Sequence, residues 1–291
     1  MTITEEKITI TCADTYPLGA LLLKPERVPL AILQFQGGTG VKKEFYLHFC
    51  RFLAGQGYAV VMFDYRGVGE SRPQRMRGFG ATLQDWPRQD MTAVLNWCQA
   101  HYPDTPKLIV SHSIGGQLIG LMPNHDLLSG VVTIASSVGS WRLQSSPRKY
   151  TAAFLWYVVT PLTTSLFGYG YLKRLGIMED LPAPMLHEWR QWCTNDAYLS
   201  PFLDNTILEH YFAQVRIPYK NYHITDDWIA NETTVNKLLT YYPNAKATIR
   251  RISPQEYGVK KIGHFGFFSR KFTETLWTEV VTDIEQMLTL K

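Results

Sequence analysis

The sequence predicts an α/β protein: a mostly parallel central sheet, helices on both of its faces, and a helical lid inserted into the chain. Two observations carry this. Short, largely apolar runs, Leu30 to Phe35, Ala59 to Phe63, Lys107 to Val110 and Gly130 to Ala135, read as strands buried on both faces. Between them, around 42–56 and 84–100, apolar side chains recur at helical spacing.

Taken in order, residues 5–13 and 18–24 alternate β-formers about Asp14-Thr15-Tyr16-Pro17 and predict a hairpin. The strand from Leu30 ends in Gln36-Gly37-Gly38-Thr39-Gly40, whose glycines let the backbone turn sharply and present free N–H groups to a ligand. A helix over 42–56 puts Phe45, Phe49, Phe52 and Leu53 on one face, and Gly55 to Gly57 breaks it. After the Ala59 strand, Asp64 and Arg66 are expected to fix a glycine-punctuated turn, Asp64 to Ser71, by hydrogen bonds. The helix over 84–100 packs through Trp86, Met91, Val94, Leu95 and Trp97. From about Trp141 to Tyr211 no strand is clear, aromatic residues crowd in, and residues 151–172 carry no charge. That run is as long as a membrane span, but Pro161, four threonines and Gly168-Tyr169-Gly170 dilute it, and strand–helix order resumes beyond it. A helical lid forming an apolar pocket is expected instead. Strands at 219–224 and 245–252, a helix at 232–241 and a closing amphipathic helix from Arg270 to Leu288 complete the chain.

With 291 residues, 45% hydrophobic and 19% charged, the chain can bury one large core. We assign residues 1–140 and 212–291 to that core and 141–211 to the lid. The net charge of +4 comes without any long Lys/Arg block, so neither a nucleic-acid nor an anionic-membrane footprint is indicated. Cys12, Cys50, Cys98 and Cys193 lie far apart, which argues against a metal site and a disulfide framework. No basic region followed by an apolar run opens the chain, so a cytoplasmic address is expected.

The chemistry centres on Ser111-His112-Ser113-Ile114-Gly115, between an apolar strand and a helix-like run. In such a tight turn the middle residue is held in a strained conformation, and small residues are needed two positions before and after it; Ser111 and Gly115 qualify. Ser113 is the candidate nucleophile. The Ile114 N–H then points at charge developing on a bound carbonyl, and Gly38 N–H, or Thr39 N–H if the turn sits one residue later, is the candidate second oxyanion donor. A serine hydroxyl also needs an imidazole to take its proton and an acid to orient that imidazole. Asp227, in Thr225-Asp226-Asp227-Trp228, and His264, in Gly263-His264-Phe265-Gly266, follow predicted strands in the order Ser…Asp…His. His112 is expected to be a buried hydrogen-bonder, since neighbours at an elbow point apart.

These motifs, with Asp64 to Ser71, Thr39-Gly40-Val41 and Glu188-Trp189-Arg190-Gln191-Trp192, resemble the α/β-hydrolase superfamily from about residue 20 to the C-terminus. Within it the chain resembles bacterial hydrolases grouped with lysophospholipase-like and serine-aminopeptidase-like domains. The resemblance implies a Ser113/Asp227/His264 triad and no cofactor. It also favours Asp227 over Asp226, because Trp228-Ile229-Ala230 follows in the family's register. The chain departs from the family at Gln36-Gly37, where H-G is usual. The function expected is hydrolysis of a small carboxylic ester with an apolar acyl or alcohol part, through an acyl-enzyme and without stable membrane insertion. Thioesterase, aminopeptidase and acyltransferase reactions use the same triad, and a catalytically silent ligand- or partner-binding protein could use the same fold.

Overall fold

The computed structural model describes residues 2–289. Ten strands and nine α-helical segments are distinguished among them. The chain opens with a hairpin of β1 (Ile3–Thr11) and β2 (Pro17–Pro25). It continues through β3 (Ile32–Gln36), α1 (Leu47–Gly55), β4 (Ala59–Phe63), α2 (Thr92–His101), β5 (Lys107–His112), α3 (Ile114–Gln117) and β6 (Leu128–Ile134). After an insertion come β9 (Pro218–Ile224), α7 (Glu232–Leu239), β10 (Lys246–Ile252), α8 (Gly263–Gly266) and α9 (Leu276–Thr289). Eight strands form one sheet in the order β1-β2-β4-β3-β5-β6-β9-β10, and only β2 runs against the others.

The period-2 alternation of a strand splits the core in two. On β4, Ala59, Val61 and Phe63 join α2 and α3 on one face, while Val60 and Met62 join Phe49 and Leu53 of α1 and Trp277, Val280 and Ile284 of α9 on the other. Both faces of β3, β4 and β5 are buried, which is why those segments read as unbroken apolar runs. The sheet edge at β1 is mostly exposed and carries Glu5, Glu6 and Lys7, charges that discourage pairing with another strand.

Asp64 fixes its turn as expected. Its carboxylate accepts from the Lys43 and Glu70 N–H groups and from the Lys43 ammonium, all within 2.9 Å. Gly69 completes the turn at φ +49°, where an added Cβ would lie 2.3 Å from the Asp64 carboxylate. Lys43 also pairs with Glu44 and Glu70, so this cluster of three acidic side chains gathers around an ammonium. Arg66 bridges Asp14 and the buried Asp90.

Between β6 and β9 the chain leaves the sheet. α4 (Lys149–Phe154), a π turn at Leu155–Val159 and α5 (Thr160–Phe167) follow one another without a break, and α6 (Ala183–Thr194) packs against them. The segment contains a pair of two-residue strands, β7 (Tyr169–Gly170) and β8 (Leu181–Pro182), where the sequence shows no clear strand. Its Glu-Trp-Arg-Gln-Trp motif is structural at both ends. Glu188 accepts the Leu83 and Gln84 N–H groups, tying α6 to the body, and Trp192 is buried. Arg190 Nε donates to the Trp156 carbonyl in the π turn at 2.6 Å.

Candidate active site

β5 enters α3 through Ser113, whose φ of 52° and ψ of −117° lie outside the regions open to unstrained L-residues. The Ser113 N–H donates to the Ile134 carbonyl at 3.0 Å, locking the turn to β6. The turn closes because α3 starts almost on top of β3: a Cβ at Gly115 would sit 2.8 Å from Gln36 Cβ. Ser111, two positions before Ser113, is fully buried, and its small side chain fits there.

The loops after β9 and β10 bring the other two groups. His264 Nε2 lies 3.0 Å from Ser113 Oγ, and His264 Nδ1 lies 2.6 Å from Asp227 Oδ2. The other Asp227 oxygen accepts the N–H groups of Ile229 and Ala230 at 2.9 and 3.2 Å. Burial raises the pKa of the Asp227 carboxyl, but the His264 charge and hydrogen bond, with the two N–H groups, outweigh it and leave it below the usual value. Asp226 faces elsewhere. Its carboxylate accepts from Ile262 and Gly263 N–H at 3.0 and 2.8 Å, which holds the strand-to-helix turn that carries His264. Gly263 makes that turn at φ +61°.

The two candidate N–H groups for the second oxyanion donor, Gly38 and Thr39, differ in their surroundings. The Gly38 N–H is already donated to Tyr46 Oη at 2.8 Å. The Thr39 N–H has no acceptor among the described residues, and Thr39 borders the same cavity as Ser113 and His264. The Ile114 N–H, first in its helix, also has none.

His112, the residue before Ser113, is completely buried and belongs to a hydrogen-bond chain with definite directions. Its Nε2 lies 2.9 Å from the His264 carbonyl oxygen, which can only accept, so Nε2 carries the proton. Nδ1 is then the acceptor, and Tyr46 Oη, 2.8 Å away, donates to it. Burial and the nearby His264 push the His112 pKa well below the usual histidine value, keeping the ring neutral as this chain requires. The sequence missed Tyr46 altogether.

Ser113 and His264 open into a cavity of about 340 Å³ between the sheet's C-terminal end and the inserted helices. Leu155, Trp156, Val159, Trp189, Trp228 and Phe265 supply much of its wall, and no Asp, Glu, Lys or Arg among the described residues lines it. Of the uncharged run 151–172, only part of its first nine residues borders the cavity, and the remainder packs elsewhere or faces outward. Trp141, Phe167, Tyr169 and Tyr171 make ring contacts outside it.

A sheet in this order, with one reversed strand and a strained serine where its fifth strand meets a helix, is the architecture of an α/β hydrolase. More narrowly, the chain belongs to the Hydrolase_4 family, described as serine aminopeptidase, S33, whose pattern matches residues 28–175. It is 29% identical over 154 residues to mouse (Mus musculus) monoglyceride lipase, covering 52% of this chain and 50% of that protein. It is 26% identical over 145 residues to chicken (Gallus gallus) lysophosphatidylserine lipase ABHD12, covering 46% and 36%. The matches thus span half or less of these relatives' lengths. Among solved structures, a soluble variant of monoglyceride lipase from Saccharomyces cerevisiae superimposes with a TM-score of 0.72 at 16% identity, covering 100% of this chain and 97% of that one. A Pyrococcus furiosus esterase gives 0.63 at 14%, covering 98% and 91%. At such identities these structures establish the fold.

Proposed function

We propose that the protein hydrolyses a small carboxylic ester with an apolar acyl or alcohol part through a Ser113 acyl-enzyme. His264 takes the Ser113 proton as Oγ attacks the carbonyl, and Asp227 keeps the His264 proton on Nδ1 and stabilises the imidazolium. The Ile114 and Thr39 N–H groups receive the oxyanion. The tetrahedral intermediate collapses, His264 returns the proton to the leaving alcohol, and a water activated by the same imidazole then releases the acid. No cofactor is needed for these steps. Residues 141–211 act as the lid that walls the substrate off from bulk water. Four free, buried cysteines suit a reducing, cytoplasmic compartment.

The observation that carries this reading is the uncharged wall around Ser113 and His264. An aminopeptidase has to hold its substrate's α-ammonium, and a buried cation without a carboxylate is strongly disfavoured. This cavity offers no carboxylate among the described residues. The test combines fluorophosphonate labelling with a panel of acyl esters, acyl thioesters and aminoacyl amides. We expect labelling that depends on Ser113 and the highest kcat/KM on an ester with a free apolar acyl chain. Absent labelling would remove the triad assignment, and higher kcat/KM on the aminoacyl amides would replace the substrate class.

A further inference from the structure

The helix from Lys149 to Phe167 buries one face and leaves the other bare. Trp156, Val159, Thr160, Thr163 and Thr164 point inward. Tyr150, Phe154, Val158, Leu162 and Leu166 are 60%, 57%, 44%, 56% and 61% exposed. These five side chains recur at every fourth position. In an uninterrupted α-helix such a row drifts about 40° per step, so its ends would lie on nearly opposite sides. The π turn at Leu155–Val159 widens the helix locally and offsets part of that drift, and all five side chains are exposed. The ladder is roughly 24 Å long at the usual helical rise. Phe154 belongs to it and also lines the catalytic cavity, so the bare face adjoins the site.

The stretch of sequence that carries the ladder is charged one way. From 127 to 178 the sequence contains no Asp or Glu, but it contains Arg142, Arg148, Lys149, Lys173 and Arg174. Arg142 pairs with Asp196 and Lys173 with Glu179. Arg148 and Lys149 at one end, and Arg174 beyond the other, have no carboxylate partner among the described residues. The signal is a deficit of acids rather than a block of bases, which is why a scan for basic runs does not find it. No described helix is long and apolar enough to cross a membrane.

We propose that this helix docks face-down on an anionic lipid surface, its apolar ladder sunk at the headgroup boundary and its flanking cations on lipid phosphates. An exposed apolar ridge ending in cations that no carboxylate neutralises matches a surface that is apolar beneath and negative above. The proposal concerns binding and stands whether or not the ester reading holds.

The test is flotation of the full chain with vesicles of phosphatidylcholine alone and of phosphatidylcholine mixed with phosphatidylglycerol. We expect partition onto the mixed vesicles that weakens as salt is raised. Leu162→Glu with Leu166→Glu should cut that partition by about a hundredfold, since each change removes a buried leucine and adds a repelled charge. Arg148→Gln with Arg174→Gln should cut it about twenty-five-fold, at roughly fivefold per cation. Both pairs are exposed and lie outside the cavity, so hydrolysis of a short soluble ester should stay within about twofold of the unaltered protein. Equal partition of the leucine variant, or no preference for the anionic vesicles, overturns the proposal. Dissociation of an oligomer by the leucine changes, with vesicle binding absent, overturns it too and assigns the face to a second copy of the chain.

Discussion

Exchanging each of the adjacent acids for its amide separates chemistry from scaffolding. In Asp227→Asn the side chain keeps its shape but has one acceptor oxygen instead of two. Two backbone N–H groups, from Ile229 and Ala230, compete with His264 for it. The oxygen stays with the pair of N–H groups, and the new NH₂ faces His264 Nδ1. That nitrogen must then present a lone pair, so the ring proton moves to Nε2 and points at Ser113 Oγ, which has lost its proton acceptor. The wrong tautomer should cost about 10⁴-fold in kcat, or roughly 5.5 kcal/mol of activation free energy. In Asp226→Asn one of the two N–H groups at Ile262 and Gly263 loses its acceptor, which should cost about 1–3 kcal/mol of stability and less than about tenfold in turnover. Initial rates on a nitrophenyl ester, with urea unfolding of both variants, measure the two effects. A folded Asp227→Asn protein retaining more than about a tenth of its turnover, or losing less than Asp226→Asn does, would refute the assignment.

Three further outcomes follow from the site. Ser113→Ala should lower turnover at least about 10³-fold, and Ser111→Ala only a few-fold, in the same rate assay. Because folded His112 stays neutral while the unfolded ring titrates near about 6.5, the unfolded state binds the extra proton below that pH. Its contribution is therefore complete above about pH 6.5 and is lost on acidification at up to about 1.4 kcal/mol per pH unit. Urea unfolding between about pH 5 and 7 should show this slope, shallower in His112→Gln. If the acyl chain enters the apolar cavity, kcat/KM should rise about fourfold per methylene from acetate upward until the cavity is full, and a flat profile would place the chain elsewhere.

Most of the sheet was legible because its central strands are buried on both faces and so spell themselves as apolar runs. The misses share a cause. The helices expected at 42–56 and 84–100 begin as a 3₁₀ turn at Lys43–Tyr46 and a π turn at Trp86–Met91, whose side chains still fall on one face. Periodicity records which side chains point inward and hardly registers the pitch of a single turn. The β7–β8 pair has two residues per strand, too short for any alternation to show. Phe45, expected on the packing face, is 46% exposed because it lies in the 3₁₀ turn and outside the helix proper.

The candidate site divides along similar lines. Residues that must occupy a particular kind of turn, such as Ser113 before Ile114-Gly115 and His264 after a glycine, carry local signals that a sequence shows. Hydrogen-bond partners chosen by the tertiary fold carry none. Tyr46 lies beside the Gly38 loop only because its 3₁₀ turn runs into α1, which packs on β3 and β4, and nothing in Phe45-Tyr46-Leu47 marks its hydroxyl as the group that takes the Gly38 N–H. Once there, it fixes more than that one donor. The hydrogen bonds run in a single direction, from Gly38 N–H to Tyr46, from Tyr46 to His112, and from His112 to the His264 carbonyl. The loop beside the expected oxyanion position is thereby joined to the loop that carries the His264 imidazole, through the residue preceding Ser113. A charged His112 would put a proton on Nδ1 facing the proton of the Tyr46 hydroxyl, which would have to turn away and give up its acceptor there. Neutrality of His112 thus keeps the Gly38 loop and the His264 loop joined by one directed chain of hydrogen bonds.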